Sequence, residues 1–355
     1  MIELGAVILY AAILWAATAY FATGYSYNRE SFLTANRNIG LFAGALSIGA
    51  TWLWAPGLFV SATKAYTQGI PGLFWFCFGN ILCLGIFGYF AAKLREMTPK
   101  GFTLSEYIGN TVSRRVQKLY WIELGFLTIS AFAIQLLAGG ILLNKITGID
   151  PWIISSTMAA IAISYSLFSG IKGSIVTDWI QMIIILGGCA ILVPWAVFAG
   201  GGIDTVIKGA TGTLFDWDVF VTFGIAATIG FIAGPFGDQM FYQRAYSLKK
   251  NIVWPAFIGG ALLFGIVPLS MGILGFMATG LGLDVNPQLA GFEVIKEVLP
   301  VWAIYIFLFA IMSGLLSTCD SAMCAVSSLA TTDWFPKNNP IKVARIGMIG
   351  LATLG

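Results

Sequence analysis

Histidine is missing from this 355-residue chain, and with it the commonest general base and metal ligand of protein sites. Charge is scarce as well. Asp, Glu, Lys and Arg make up 10% of the residues, against about 25% in soluble domains, whose surfaces must face water. That shortage excludes an ordinary water-covered fold. The five cysteines, Cys77, Cys83, Cys189, Cys319 and Cys324, all sit in apolar stretches and form no CxxC pair. They read as small packing residues and say nothing about redox compartment. A nucleophile elbow and a metal-spaced cluster are lacking too, so an enzyme is the least favoured reading. No nucleic-acid partner is expected.

What the chain has is apolar length. Hydrophobic residues reach 58%, with 42 Gly and 12 Trp, a composition that suits closely packed membrane helices with aromatic belts at the interfaces. A bilayer-crossing helix needs about 20 largely apolar residues. Nine such spans are predicted, near 4–23, 39–63, 71–92, 119–144, 152–168, 175–199, 219–241, 253–278 and 300–330. A tenth run begins near Ile346 and is too short to cross before Gly355. The first run lacks a basic leader and a small-residue cleavage site, so it is read as a retained span. Of the 19 Lys and Arg, fifteen fall in one set of alternate loops and only Lys64, Lys145, Lys208 and Lys296 in the other. The positive-inside rule makes the first set cytoplasmic and puts the N-terminus outside.

Spans two and seven are interrupted. Span two runs through glycines to Trp52-Leu-Trp54-Ala-Pro56-Gly57, and span seven to Gly234-Pro235-Phe236-Gly237-Asp238. Proline removes a backbone donor and clashes with the preceding turn. Carbonyls freed at membrane depth then need a cavity or an ion. The breaks lie five spans apart, an odd number, so the two helices cross in opposite directions, as an inverted repeat of five plus five spans requires. The expected division is an extra first span, a first repeat at about 39–199 and a second at about 219–355 that is incomplete. Trp52 and Trp54, with Gly234 and Phe236 at the other break, are candidates to wall a flat polar solute. Packing is the competing role for both tryptophans.

Carboxylates inside the bilayer are expensive and need a reason. Asp178, Asp238 and Asp320 stand within or at the edges of spans, the first two toward the cytoplasmic ends, where cations such as Arg244 are the ordinary partners. Span nine carries Ser313-Gly-Leu-Leu-Ser317-Thr318-Cys-Asp320-Ser321. Its hydroxyls either bond their own backbone or, with carbonyls of a broken helix opposite, give a hard cation an all-oxygen shell.

Three strings resemble the sodium:solute symporter family, which includes proline, sugar, iodide and urea carriers. They are Ser169-Gly-Ile-Lys-Gly-Ser-Ile-Val-Thr-Asp178-Trp-Ile-Gln181, Gly237-Asp-Gln-x-x-x-Gln243-Arg-Ala245, and Leu316-Ser-Thr-Cys-Asp-Ser321 with Val326-Ser-Ser328. The resemblance implies an all-α, leucine-transporter-like fold and sodium-coupled symport of a small polar solute through the plasma membrane. It also implies a sodium site made of the Ala50, Leu53 and Gly314 carbonyls and the Ser317 and Thr318 hydroxyls. Asp178 matches a family carboxylate that assists the passage of the ion. The runs Thr51-Trp-Leu-Trp-Ala55 and Gly69-Ile-Pro-Gly-Leu-Phe-Trp75 are more similar to the urea carriers. Amino-acid or carboxylate symport, a passive channel and a sensor input domain remain as alternatives.

Overall fold

A computed structural model describes residues 2–22 and 28–354. Thr23 and Gly355, the last residues expected in the first span and the second repeat, lie outside them. Among the described residues helix dominates and no strand forms. Helices long and apolar enough to cross a membrane run Gly57–Met97, Arg114–Thr147, Pro151–Ala199, Trp217–Gly237, Lys250–Gly280 and Val301–Trp334, with shorter apolar helices at Val7–Phe21 and Leu41–Trp52. The chain is a multi-pass membrane protein.

Two of those helices are too long for one crossing, and each turns at a glycine. Ala55–Met97 turns at Gly69 (φ 64, ψ −147) and Pro151–Ala199 at Gly170 (φ 56, ψ −146). These dihedrals are open only to a residue without a Cβ. The space is closed as well. A Cβ at Gly69 would sit 2.2 Å from the Thr211 carbonyl oxygen, and one at Gly170 2.3 Å from that of Phe32. The two turns fall between the segments expected as spans two and three, and five and six.

Other boundaries moved outward. Span four extends to Arg114–Thr147 and the tenth run is a 15-residue helix, Pro340–Leu354. Short helices at Leu104–Thr111, Ile203–Gly209 and Ala290–Val298 were not expected.

Packing gathers the spans into two bodies joined through span six, which also packs on spans two and eight. Span eight lies along spans two and three, which also meet span seven, while span nine lies along spans four, five and six. Glycine sets how closely the first body packs. A Cβ at Gly260 would reach within 2.7 Å of Ile48, and one at Gly275 within 2.3 Å of the Ala62 carbonyl oxygen. Small-residue contacts of this kind hold membrane helices together where lipid offers no hydrophobic drive.

At the cytoplasmic end the two broken helices are stapled to each other. The Ile39 N–H donates to the Ser247 carbonyl at 3.1 Å, and the Lys249 N–H returns to the Ile39 carbonyl at 3.1 Å. Gln243 Nε2 also donates to the Leu33 carbonyl at 3.0 Å. The chain reaches this staple through three successive left-handed residues, Ala35, Asn36 and Arg37. Such residues cost roughly 1–2 kcal/mol each outside glycine. Arg37 holds the turn by pairing with Glu30 at 2.9 Å and donating to the Lys100 and Tyr246 carbonyls.

Candidate functional site at the helix breaks

Helical bonding in span two ends at Trp52. Leu53 (φ −79, ψ 64) and the extended Trp54 (φ −74, ψ 162) form the break, and Pro56 follows in the first turn of the next helix, where its missing donor costs nothing. The Leu53 N–H folds back on the Ala50 carbonyl at 3.1 Å. The Thr51 and Leu53 carbonyls are thereby left facing span nine.

There they meet Thr318. Its hydroxyl oxygen lies 3.3 Å from the Gly314 carbonyl, 3.4 Å from that of Thr51 and 3.5 Å from that of Leu53. One proton can serve only one of these acceptors, so the cluster holds more oxygen lone pairs than donors. Glycine at 314 is what permits the approach. A Cβ there would stand 2.7 Å from Leu58 and 3.3 Å from the Leu53 oxygen.

The expected ligands divide in two. Leu53, Gly314 and Thr318 converge directly, and Thr51 joins them unforeseen. Ala50 and Ser317 sit alongside with one polar function already engaged. The Ser317 hydroxyl donates to Asp178 Oδ1 at 2.6 Å, yet its oxygen keeps lone pairs, as does the Ala50 carbonyl.

Asp178 is the centre of a wholly buried network. It accepts from Ser47 at 2.5 Å, Ser317 at 2.6 Å and Arg244 Nη2 at 3.0 Å. Arg244 belongs to the buried helix Gln239–Ser247 beyond the span-seven break and is itself only 1% exposed. Its other bonds go to Ser47 at 3.0 Å, Ser321 at 2.6 Å, Ser174 at 3.3 Å and the Met240 carbonyl at 3.4 Å. Asp320 accepts from Tyr165 at 2.7 Å, Ser174 at 2.6 Å and Thr177 at 2.9 Å. Thr51 and Ser321 share a hydroxyl contact at 3.2 Å, which links this network to the oxygen cluster. Buried charge persists only when paired and hydrogen-bonded. Here Arg244 pairs with Asp178, whereas Asp320 is held by hydroxyls.

Asp320 and its partners Tyr165, Ser174 and Thr177 escaped the sequence reading as a group. A signal was present, because Ser174, Thr177, Asp178 and Gln181 recur at three- and four-residue spacing on one helix face. Asp238, by contrast, caps the helix that follows it, accepting from the Met240 N–H at 2.8 Å.

Of the residues expected to touch solute, Trp52 and Gly234 meet. A Cβ at Gly234 would lie 2.9 Å from the Trp52 indole, which also meets Phe241 edge-on at 5.3 Å. Trp54 is half-buried at the break. Neither indole N–H has a protein partner. Phe236 packs on Phe87 and Phe90 of span three at 5.3 and 5.4 Å.

A broken helix facing hydroxyls on a partner helix is the architecture of ion-coupled membrane transporters, and the comparisons agree. The sodium:solute symporter family model matches residues 32–345, and the chain belongs to that family. Among its relatives, the probable urea active transporter 1 of Schizosaccharomyces pombe is 26% identical over 344 residues, covering 86% of this chain and 51% of that protein. The urea-proton symporter DUR3 of Oryza sativa subsp. japonica is 21% identical, covering 86% and 48%. Sodium/proline symporter 2 of Staphylococcus saprophyticus is 25% identical, covering 87% and 63%. The chain thus spans about half the length of the urea transporters it matches.

The fold is shared with a Na+-coupled sialic acid symporter solved in a substrate-bound, outward-open state. That match has a TM-score of 0.85 at 20% identity and covers 100% of this chain and 80% of that one. The nucleobase-cation-symport-1 family transporter MHP1 matches at a TM-score of 0.64 and 14% identity, covering 90% and 72%. The architecture is leucine-transporter-like.

Proposed function

We propose that this chain carries out sodium-coupled symport of a small polar, urea-like solute across the plasma membrane by alternating access, as an inverted repeat at about 39–199 and 219–355. The observation that carries the reading is the gathering of the Thr51, Leu53 and Gly314 carbonyls around the Thr318 hydroxyl at the span-two break. A monovalent cation there takes oxygen from Leu53, Gly314, Thr318 and the adjoining Ala50 and Ser317, and needs no charged ligand. Trp52 and Trp54 supply flat apolar faces and unpaired N–H donors beside it, suited to a planar solute bearing a carbonyl. Gly234 leaves room for the first indole, and Phe236 backs the break through span three.

Ion and solute bind at neighbouring points of one discontinuous helix, so each orders the segment the other needs. One charge moving through 100 mV yields about 2.3 kcal/mol, enough for roughly 50-fold accumulation. Asp178 serves the passage of the ion, held by Arg244 while the inner side is shut. Urea counterflow in proteoliposomes is the test, with sodium replaced by choline in a parallel set. Uptake that ignores the replacement, or follows an imposed proton gradient alone, removes the sodium claim.

A further inference from the structure

A second polar track leaves the break in the outward direction, on the orientation given by the Lys and Arg count. Gly57, Ser61, Lys64 and Gln68 recur at three- and four-residue spacing and so share one helix face. Ser61 is fully buried and its hydroxyl has no partner, and the Gln68 side-chain oxygen is buried and unpaired too. Lys64 Nζ lies 3.7 Å from the centre of the Phe223 ring on the outer part of span seven. None of the ion pairs among the described residues involves it.

Next to Phe223, Gly224 admits Trp75 of span three, whose ring would stand 2.9 Å from a Cβ there. Further along, Thr228 faces Gly79, where a Cβ would lie 3.1 Å from the Thr228 Cα. The Trp75 N–H and the Thr228 hydroxyl are again buried without partners.

Unpaired buried polar atoms are rare and each needs an explanation. Four of them, on Ser61, Gln68, Trp75 and Thr228, line the outer halves of spans two, three and seven together with a lone ammonium. An aromatic face stabilises that ammonium but leaves N–H donors over. The set offers donors from Lys64, Trp75 and Thr228 and acceptors from Gln68 and Ser61, a match for a carbonyl or carboxylate oxygen with N–H groups beside it. Lys64 adds a sign preference. At an effective dielectric constant of about 20, a like charge a few ångströms away weakens binding by more than tenfold.

We propose that Ser61, Lys64, Gln68, Trp75 and Thr228 form an outer solute subsite that Lys64 makes charge-selective, admitting neutral or anionic oxygen-bearing solutes and rejecting cations of the same shape. The proposal rests on the transport reading, in that solute crosses by this route.

Urea, acetate and guanidinium test it, the last being the planar cationic counterpart of urea. Binding of labelled urea to the purified protein is measured against each competitor in wild type, K64M and K64R. In wild type, guanidinium competes at least about tenfold more weakly than urea. In K64M that gap closes and acetate weakens, with the sodium half-saturation unchanged, while K64R keeps the wild-type order. Guanidinium matching urea in the wild type overturns the filter whether or not K64M folds. Binding of none of the three probes overturns it as well. Urea binding without sodium-dependent uptake tells against the transport reading and leaves the subsite standing.

Discussion

Replacing Arg244 with methionine tests the buried network most severely. The guanidinium is 1% exposed and its nitrogens reach Asp178, Ser47, Ser174 and Ser321 within 3.3 Å. Methionine keeps much of the volume and removes every donor. Asp178 is then a fully buried carboxylate held by the Ser47 and Ser317 hydroxyls alone. Breaking a buried pair from one side costs about 3–5 kcal/mol, because the other charge is left uncompensated. For a chain of this length, at roughly 1–2 °C per kcal/mol, below the 2–4 °C of smaller domains, the Tm falls by about 3–10 °C.

The double variant Arg244→Met, Asp178→Asn removes both charges and recovers at least half of that loss, which gives a coupling of about 2 kcal/mol or more. Thermal unfolding of the four proteins in one detergent, followed by tryptophan fluorescence, supplies the comparison. A double variant that melts at the sum of the two single losses would refute the claim that these residues stabilise each other.

Further outcomes follow from single positions. Thr318→Ala raises the sodium half-saturation of urea binding by roughly tenfold, the worth of one lost oxygen contact to a charge, and leaves urea affinity at saturating sodium unchanged. Equal loss of both affinities would make Thr318 structural only. Gly314→Ala pushes a methyl toward Leu58 and the Leu53 carbonyl. It weakens sodium binding more than urea binding, read in the same titration. Gly69→Ala meets the Thr211 carbonyl at 2.2 Å in a left-handed conformation, so it lowers the Tm more than Gly187→Ala, where nothing lies within 4 Å.

The membrane spans were legible because lipid imposes a length and forbids unsatisfied backbone. Both breaks could be read for the same reason, since Pro56 and Pro235 mark where helical bonding lapses. The turns at Gly69 and Gly170 were bracketed without being assigned, because their positive φ answers to the Thr211 and Phe32 carbonyls, which are distant in sequence. Leu104–Thr111 and Ala290–Val298 escaped because helices this short are amphipathic rather than apolar.

At the candidate site, the family resemblance pointed to Leu53, Gly314 and Thr318, which the structure brings together, but not to Thr51, since only the fold turns its carbonyl toward span nine. Which way Ser317 points depends on Asp178 in span six. The Asp320 cluster draws on spans five, six and nine, so no stretch of sequence displays it whole.

Sodium coupling in this chain depends on an ion held by the oxygens at the span-two break, as proposed above. Calorimetric titration of the purified protein with sodium chloride, against choline chloride, measures this most directly. A saturable heat is expected with sodium only, abolished or shifted about tenfold by Thr318→Ala. Identical heats for the two salts, or a sodium isotherm that Thr318→Ala leaves untouched, would contradict it.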